Sequence, residues 1–310
     1  MLKDLISRTR DFQGLTRKSV LGEIMEIFHQ PTYDDAGLLT LSGVNVVASV
    51  DSILETIVDR NPWQAGYFSI LASVNDVLAK GAKPLAYLDS ISSPSPLTRR
   101  NIAKGIKYAA DNFGLTLLKG HTNPDVSYNA VESTVIGVAK NFIPDNGAQI
   151  GDAIIVVTDS NGTSEDTGWL KIYDSTYSKS SQQLLIRQET LLNIADRRLL
   201  NSAKDISGAG IIGTIAMLCE SSKAGAEIVL ERIPHPPEVT LEDWLLTYPS
   251  FGFIYTTKKK DTCLGLLRNA GLEAEAVGSV TRTKQIRVSY RNEKGVFLDL
   301  EREDLYSSAR

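Results

Sequence analysis

Ser73-Val-Asn-Asp-Val-Leu-Ala-Lys80 is the stretch that decides how this sequence folds and what it can bind. It places Asp76 in the middle of an apolar helix pattern that runs over residues 63–80. A buried carboxylate costs free energy unless a partner compensates its charge. That partner is a basic side chain, a set of backbone N–H groups or a bound cation, and Asn75 adds a second oxygen donor. For Asp76 taken alone, a basic partner is slightly favoured over a metal ion.

Strand and helix patterns alternate on both sides of this stretch. Strands are predicted over residues 38–50, 84–92, 115–118 and 130–139, with a helix over residues 97–113. Pro144-Asp-Asn-Gly147 is typical of a linker, and strands and helices alternate again after it. The polar segment 159–181 is predicted to be an active-site loop or a surface loop. The pattern therefore predicts an α/β (α+β) chain with two domains, residues 1–145 and 146–310.

Composition narrows the class of protein. A chain of 310 residues with 42% hydrophobic and 23% charged residues is long enough and apolar enough for two globular cores. The net charge of −4 argues against non-specific nucleic-acid binding. Uncharged stretches of the sequence are too short to cross a bilayer, and the first ten residues do not resemble a signal peptide. Cys219 and Cys263 lack the spacing of metal ligands. We expect a cytoplasmic protein with reduced thiols and without a membrane partner.

Aspartates precede and follow the predicted first strands. Asp34-Asp35 gains from a divalent cation because two adjacent carboxylates repel each other, although Asp is also common in surface turns. Two strands are predicted within residues 38–50, and Asp51 ends the second, Val44–Val50, where a ligand and a helix cap are equally expected. Taken alone, Asp34-Asp35 is therefore favoured as a surface turn, and the role of Asp51 stays open.

Two further segments have the composition of ligand-binding loops. Lys119-Gly-His-Thr-Asn123 follows a predicted strand: Gly120 permits close backbone approach, and His121 and Asn123 offer donors. The alternative to a ligand-binding role is an ordinary polar loop. Lys204-Asp-Ile-Ser-Gly-Ala-Gly210 precedes a predicted helix, and its glycines, Gly208 and Gly210, leave the helix N–H groups open to an anion.

The segment 208–213 formally matches the dinucleotide fingerprint G-x-G-x-x-G. That fingerprint requires an apolar strand directly before it. Because residues 194–204 have a charged, helical pattern, we reject a dinucleotide-dependent oxidoreductase. A Walker-type phosphate loop is also missing from the sequence.

The order of these motifs resembles the aminoimidazole ribonucleotide (AIR) synthase superfamily, over roughly residues 15–280. The most specific matches are Val74-Asn-Asp-Val-Leu-Ala-Lys-Gly-Ala-Lys-Pro-Leu85 and Lys204-Asp-Ile-Ser207. Within the superfamily the sequence is most similar to the AIR-synthase-like methanogenesis marker and selenophosphate-synthase-related proteins. Trp63-Gln-Ala-Gly-Tyr67 and Trp244-Leu-Leu-Thr-Tyr-Pro249 carry this closer resemblance.

The resemblance implies an N-terminal domain that dimerises through its sheet and a C-terminal α/β domain. It also implies ATP and Mg²⁺ as cofactors, a homodimer and transfer of a phosphoryl group to an oxygen of a small substrate. By position, the metal ligands would be Asp34, Asp35, Asp51 and Asp76. The catalytic residues would be Asp205 and His121, and the nucleotide would be bound by Lys18, Gly120, His121, Asn123, Asp205, Gly208 and Gly210.

One departure from the family pattern bears on turnover. Many members have Asp-Ile-Ser-Asp-Gly where this chain has Asp205-Ile-Ser-Gly-Ala209, so one carboxylate is absent at Gly208. Two hypotheses therefore stand: an ATP- and Mg²⁺-dependent enzyme, and a nucleotide-binding regulatory or partner protein without turnover. The substrate is not identified by the sequence.

Overall fold

The computed structural model describes residues 1–29 and 33–306. Its α-helices are α1 Leu2–Arg10, α2 Gln13–Thr16, α3 Leu21–Ile27, α4 Glu55–Arg60, α5 Pro62–Ala79, α6 Pro96–Asn112, α7 Ser181–Asp196, α8 Gly210–Ser221, α9 Leu241–Trp244 and α10 Lys260–Asn269. Its strands are β1 Gly37–Leu41, β2 Val44–Ser52, β3 Ala82–Ser92, β4 Thr116–Asn123, β5 Ala130–Ala139, β6 Ala153–Thr158, β7 Thr163–Asp166, β8 Lys171–Asp174, β9 Ser202–Asp205, β10 Gly225–Val229, β11 Thr247–Pro249, β12 Gly252–Thr257, β13 Glu273–Thr281, β14 Gln285–Tyr290 and β15 Glu293–Asp299.

The chain forms two compact units, and each is assembled from separate stretches of sequence. We call Asp35–Phe142 with Thr176–Asp196 the sheet unit. The second unit, which we call the terminal unit, contains Met1–Asp34, Ile143–Ser175 and Arg197–Arg310. The predicted sequence domains, 1–145 and 146–310, stay a prediction.

A five-stranded sheet in the order β1-β2-β5-β3-β4 is the framework of the sheet unit. Helix α5 packs on one face of it, and almost every side chain of α5 is buried. The start of α5 is set by Asn61, whose side chain accepts a hydrogen bond from the N–H of Gln64, and by Pro62 in the first turn. Within the described part of the chain, no helix has the length and apolar character needed to cross a bilayer.

The two faces of this sheet differ because side chains alternate along each strand. On β2, Val47 and Ser49 are buried toward α5, whereas Val44, Ala48 and Val50 are exposed on the other face. On β1, which pairs with β2, Leu39 is also exposed. We call the face without α5 the outer face.

Glycines let α5 and α6 approach each other closely. A Cβ atom built on Gly105 would lie 1.9 Å from the carbonyl oxygen of Trp63, and one on Gly66 would lie 2.1 Å from that of Ile102. Aromatic rings cover this contact: Tyr177 packs on Tyr67 with ring centroids 4.5 Å apart. Tyr177 thereby attaches residues 176–196, including α7, to the sheet unit.

The terminal unit is built on a seven-stranded mixed sheet in the order β15-β14-β10-β13-β6-β12-β9. Helix α8 is apolar on all sides, and its residues from Gly210 to Cys219 are buried. Helix α1 contacts β15 and α8, so that Leu2 and Leu5 join the same hydrophobic core. The N-terminal residues are therefore part of this unit although they are far from it in sequence.

Two predicted loops are wrong in part. Residues 119–123 belong to β4, because their backbone pairs with β3 from Leu88↔Lys119 to Ser92↔Asn123. The polar segment 159–181 contains the hairpin β7–β8, and β8 pairs with β11. In both cases the backbone hydrogen bonds come from strands that the local composition does not reveal.

We predict that Gly105→Ala lowers the free energy of unfolding by about 1–3 kcal/mol, because the new methyl group meets backbone that cannot move aside. Gly265→Ala is the matched control: this helical glycine has open space around its Cβ position, and the substitution should stabilise by about 0.5–1 kcal/mol. Urea unfolding monitored by circular dichroism measures both changes. A neutral Gly105→Ala would contradict the close helix contact.

Candidate functional site

Asp35 and Asp76 form a pair of carboxylates inside the sheet unit. A carboxylate oxygen of each lies within 4.8 Å of one from the other. Asp76 is 8% exposed, on the C-terminal half of α5, and Asp35 stands two residues before β1. The hydroxyl group of Ser49 on β2 donates a hydrogen bond to Asp76 at 2.5 Å and lies 3.1 Å from the carbonyl oxygen of Asp35. Ser49 thus ties the pair to the sheet.

Lys80 is the basic residue at this pair. Its Nζ atom lies 3.3 Å from Oδ2 of Asp35, and the lysine side chain is fully buried. The sequence left a basic partner and a cation as alternatives for Asp76. The structure shows a basic side chain beside Asp35 and a hydroxyl donor on Asp76, so the pair already has protein partners.

The donor set of this pair suits a hard divalent cation. The groups that surround it are carboxylate and hydroxyl oxygens, which Mg²⁺ prefers. Two carboxylates and one ammonium group leave one net negative charge among these side chains, and a cation would offset it. The side chains stand on β2, on α5 and next to β1, and rigid elements hold ligands more precisely than loops do. The residues present therefore fit Mg²⁺.

Asp34 is held differently from its neighbour. Its Oδ2 atom accepts a hydrogen bond from the backbone N–H of Asp145 at 3.1 Å, within the terminal unit. This contact joins Asp34 to the predicted linker, residues 144–147. A metal-binding role for Asp34 stays a prediction.

Asp51 lies on the α5 side of the sheet, two residues after Ser49 on the same strand. In the neighbouring strands its row continues through Ser133, Asp89 and Gly120. Sequence reasoning missed Asp89, which is half-buried, and burial raises the pKa of its carboxyl group. The alternation of apolar and polar residues along β3 was the signal that could have revealed it.

His121 lies on the outer face of the sheet. Gly120 faces the α5 side, since a Cβ atom there would lie 3.0 Å from Oδ1 of Asp89. The next residue on the strand therefore projects to the opposite face. His121 is exposed, and in register it pairs with Ser90, which pairs with Glu132. Within one chain, the sheet therefore separates His121 from Asp76. Asn123 is the last residue of β4, the strand that contains His121.

Asp205 is the last residue of β9 in the terminal unit and is 5% exposed. The turn that follows it is closed by Ser207, whose carbonyl oxygen accepts the N–H of Gly210. Gly210 has a φ of +76°, and a Cβ atom there would lie 2.3 Å from the carbonyl oxygen of Leu245, so only glycine fits.

The N-terminal residues cover this turn. A Cβ atom on Gly14 would lie 1.8 Å from the carbonyl oxygen of Gly208, and Leu15 is fully buried against α8. Lys18 follows on a short 3-10 helix and is partly exposed. At Gly208 itself there is room: a Cβ atom would meet only Leu170, at 4.0 Å. A side chain can therefore begin at this position without a clash at its Cβ atom.

A strand does precede the glycine-rich start of α8, which corrects the reason for rejecting the dinucleotide fingerprint. Helix α7 ends at Asp196, and β9 occupies Ser202–Asp205. However, β9 is an edge strand antiparallel to β12, and β10, which follows α8, lies elsewhere in the sheet. The parallel βαβ unit that holds a dinucleotide is therefore not formed here.

Both cysteines are buried and free, as the sequence predicts. Burial raises the pKa of the Cys219 thiol to about 12 and raises that of Cys263 as well. Since the thiolate is the nucleophile, neither residue is suited to covalent catalysis.

The chain matches two family models. "AIR synthase related protein, N-terminal domain" covers residues 33–139, and "AIR synthase related protein, C-terminal domain" covers residues 149–291. The uncharacterized protein MJ0640 of Methanocaldococcus jannaschii is 31% identical over 97% of this chain and 98% of its own length. The thiamine-monophosphate kinase of Archaeoglobus fulgidus is 29% identical over 73% of this chain and 78% of its own length.

Solved structures share the fold at low sequence identity. Thermotoga maritima PurL complexed with ATP matches with a TM-score of 0.76 and 19% identity, over 92% of this chain and 49% of that chain, so this chain spans about half of PurL. AaThiL complexed with AMPPCP and TMP matches with a TM-score of 0.68 and 17% identity, over 90% of this chain and 96% of that chain. Because both family models match and together cover most of its length, the chain belongs to the AIR synthase related protein family.

Proposed function

We propose that this protein binds ATP with Mg²⁺ and transfers a phosphoryl group to an oxygen atom of a small-molecule substrate. The observation that carries the proposal is the buried pair Asp35 and Asp76, whose carboxylate oxygens lie within 4.8 Å of each other. Phosphoryl transfer requires chiefly positioning and neutralisation of phosphate charge, which Mg²⁺ held by carboxylates supplies. A covalent nucleophile is not needed, in agreement with the buried thiols.

The remaining site residues are assigned by the family pattern. The proposed metal ligands are Asp35 and Asp76, with Asp34 and Asp51 as further candidates. By the family pattern the proposed catalytic residues are Asp205 and His121, although the sheet separates His121 from Asp76 within one chain. The proposed nucleotide contacts are Lys18, Gly120, His121, Asn123, Asp205, Gly208 and Gly210.

Two comparisons support nucleotide chemistry. Relatives are named selenide, water dikinase and thiamine-monophosphate kinase, and structures with the same fold are complexed with ATP, ADP or AMPPCP. These names and ligands belong to the relatives, and we infer from them the class of reaction but not the substrate. We propose that the protein is cytoplasmic, because cysteines stay reduced in that compartment.

A second candidate function is nucleotide binding without turnover, as in a regulatory or partner protein. Gly208 favours it, because many family members have a carboxylate at this position. A Cβ atom at Gly208 would meet no atom closer than 4.0 Å. The two candidates differ in whether ADP forms.

We further propose a homodimer that pairs through the outer face of the sheet unit. Large apolar side chains are exposed on this face, among them Leu39, Val44 and Val50, the last at 66%. An exposed apolar patch of this kind is typical of an interaction site. Among the strands that the structure describes, β1 is at the edge of this sheet, and an edge strand offers backbone groups that a partner could cover.

We predict that Asp76→Asn weakens binding of Mg²⁺-ATP about tenfold or more, corresponding to about 1.4 kcal/mol. The amide keeps the shape and the hydrogen bond from Ser49 but removes the charge that attracts the cation. Isothermal titration calorimetry measures the affinity. Asp261→Asn is the control, since that side chain is 93% exposed in the terminal unit. Equal affinity in wild type and Asp76→Asn would exclude Asp76 as a metal ligand.

Turnover is tested by incubating the protein with ATP, Mg²⁺ and a panel of small carboxylic acids, amides and phosphate monoesters. We expect ADP formation, measured by chromatography, to exceed the background of the Asp76→Asn variant with at least one acceptor. ATP binding without ADP formation, unchanged in Gly208→Asp, would favour the binding protein. ADP formed only by Gly208→Asp would show that the absent carboxylate limits turnover.

We predict that Val50→Lys converts the dimer into a monomer, because the charge would be buried without a partner at the paired faces. Sedimentation velocity measures the mass in solution. Leu97→Lys, at 69% exposure on α6 in the same unit, is the matched control and should leave the dimer intact. A Val50→Lys variant that remains dimeric would place the interface elsewhere.

A further inference from the structure

We propose that Lys80 is a built-in counter-cation of the carboxylate pair, which orders Asp35 and Asp76 before a metal ion binds and lowers their affinity for that ion. This inference rests on the proposed function, since it concerns the same metal site. Lys80 acts through the two carboxylates, so it is a positioning residue and not a catalytic one.

The first support is the burial of Lys80. Its side chain is fully buried, and a buried ammonium group is strongly unfavourable unless it is paired. Asp35, with its side chain 6% exposed, supplies that pairing at 3.3 Å. Because both side chains are buried, water does not compensate their charges, and breaking the pair would be strongly destabilising. An ion pair on the surface, by contrast, contributes little to stability.

The second support is the position of Lys80 on α5. It is the C-cap residue, and its backbone N–H donates to the carbonyl oxygen of Asp76 at 3.2 Å. The C-terminal end of a helix favours a cation. Asp76 and Lys80 are thus one helical turn apart, and Lys80 pairs with Asp35.

The third support is the charge around the pair. The ammonium group contacts Asp35, and Asp35 lies within 4.8 Å of Asp76, so all three charges belong to one cluster. A divalent ion bound by the two carboxylates would sit close to a positive charge that it cannot neutralise. The Coulomb repulsion between them opposes binding, while the ordered carboxylates favour it.

The test is the variant Lys80→Met, which keeps the length of the side chain and removes its charge. Mn²⁺ serves as the probe, and electron paramagnetic resonance measures free Mn²⁺ during a titration in the absence of nucleotide. We expect Mn²⁺ to bind about tenfold more tightly to Lys80→Met than to wild type. We also expect a lower melting temperature without metal and a larger rise of the melting temperature with Mn²⁺.

Lys83→Met is the matched control, since Lys83 is exposed on β3 three residues away, and it should change neither quantity. If Lys80→Met does not fold without metal, Lys80→Gln replaces it, with the same expected tightening. A merely structural Lys80 would lower the melting temperature equally with and without Mn²⁺. That result, or Mn²⁺ binding that is unchanged or weaker in the folded variant, would overturn the inference.

The proposed function fails in a different way. Wild-type protein that binds no Mn²⁺ would contradict the metal site itself, and the role of Lys80 would fall with it. Wild-type protein that binds Mn²⁺ with an affinity that Lys80→Met does not change would contradict only the role of Lys80.

Discussion

The ion pair between Lys80 and Asp35 is the interaction on which the candidate site depends. Both side chains are buried, and a carboxylate or an ammonium group left there without a partner would be destabilising. The pair allows Asp76, on the same turn as Lys80, to remain within 4.8 Å of Asp35 on an otherwise apolar helix. The carboxylate pair that we propose as a cation site is thereby held in the core of the sheet unit.

The two faces of the five-stranded sheet present different kinds of side chains. The face that packs on α5 has Ser49, Asp51 and Asp89 among its buried apolar residues. The outer face exposes aliphatic side chains together with His121. Because alternation places neighbouring residues of one strand on opposite faces, a single sheet provides both a polar site and an apolar surface. This division explains why His121 and Asp76 do not meet within one chain.

Strongly patterned elements were predicted from the sequence with nearly correct bounds. The helix expected over 63–80 is Pro62–Ala79, and the strand expected over 130–139 is found at those residues. The site was predicted less completely, since Asp76 was identified as decisive while Ser49, Lys80 and Asp89 had no assigned role. The second half of β4, residues 119–123, and the polar strands β7 and β9 were missed, because their stability comes from pairing with distant strands and not from their own composition.

The sequence by itself determined the family, the alternation of strands and helices, and the presence of a carboxylate within an apolar helix. These properties are local or depend on the order of motifs, so a linear reading reveals them. Only the tertiary structure decided that Lys80 pairs with Asp35, that Asp34 binds the backbone of Asp145, and that residues 1–34 and 176–196 join units remote from them in sequence. Such choices depend on which side chains meet after the chain has folded, where charge burial and packing compete across long sequence separations.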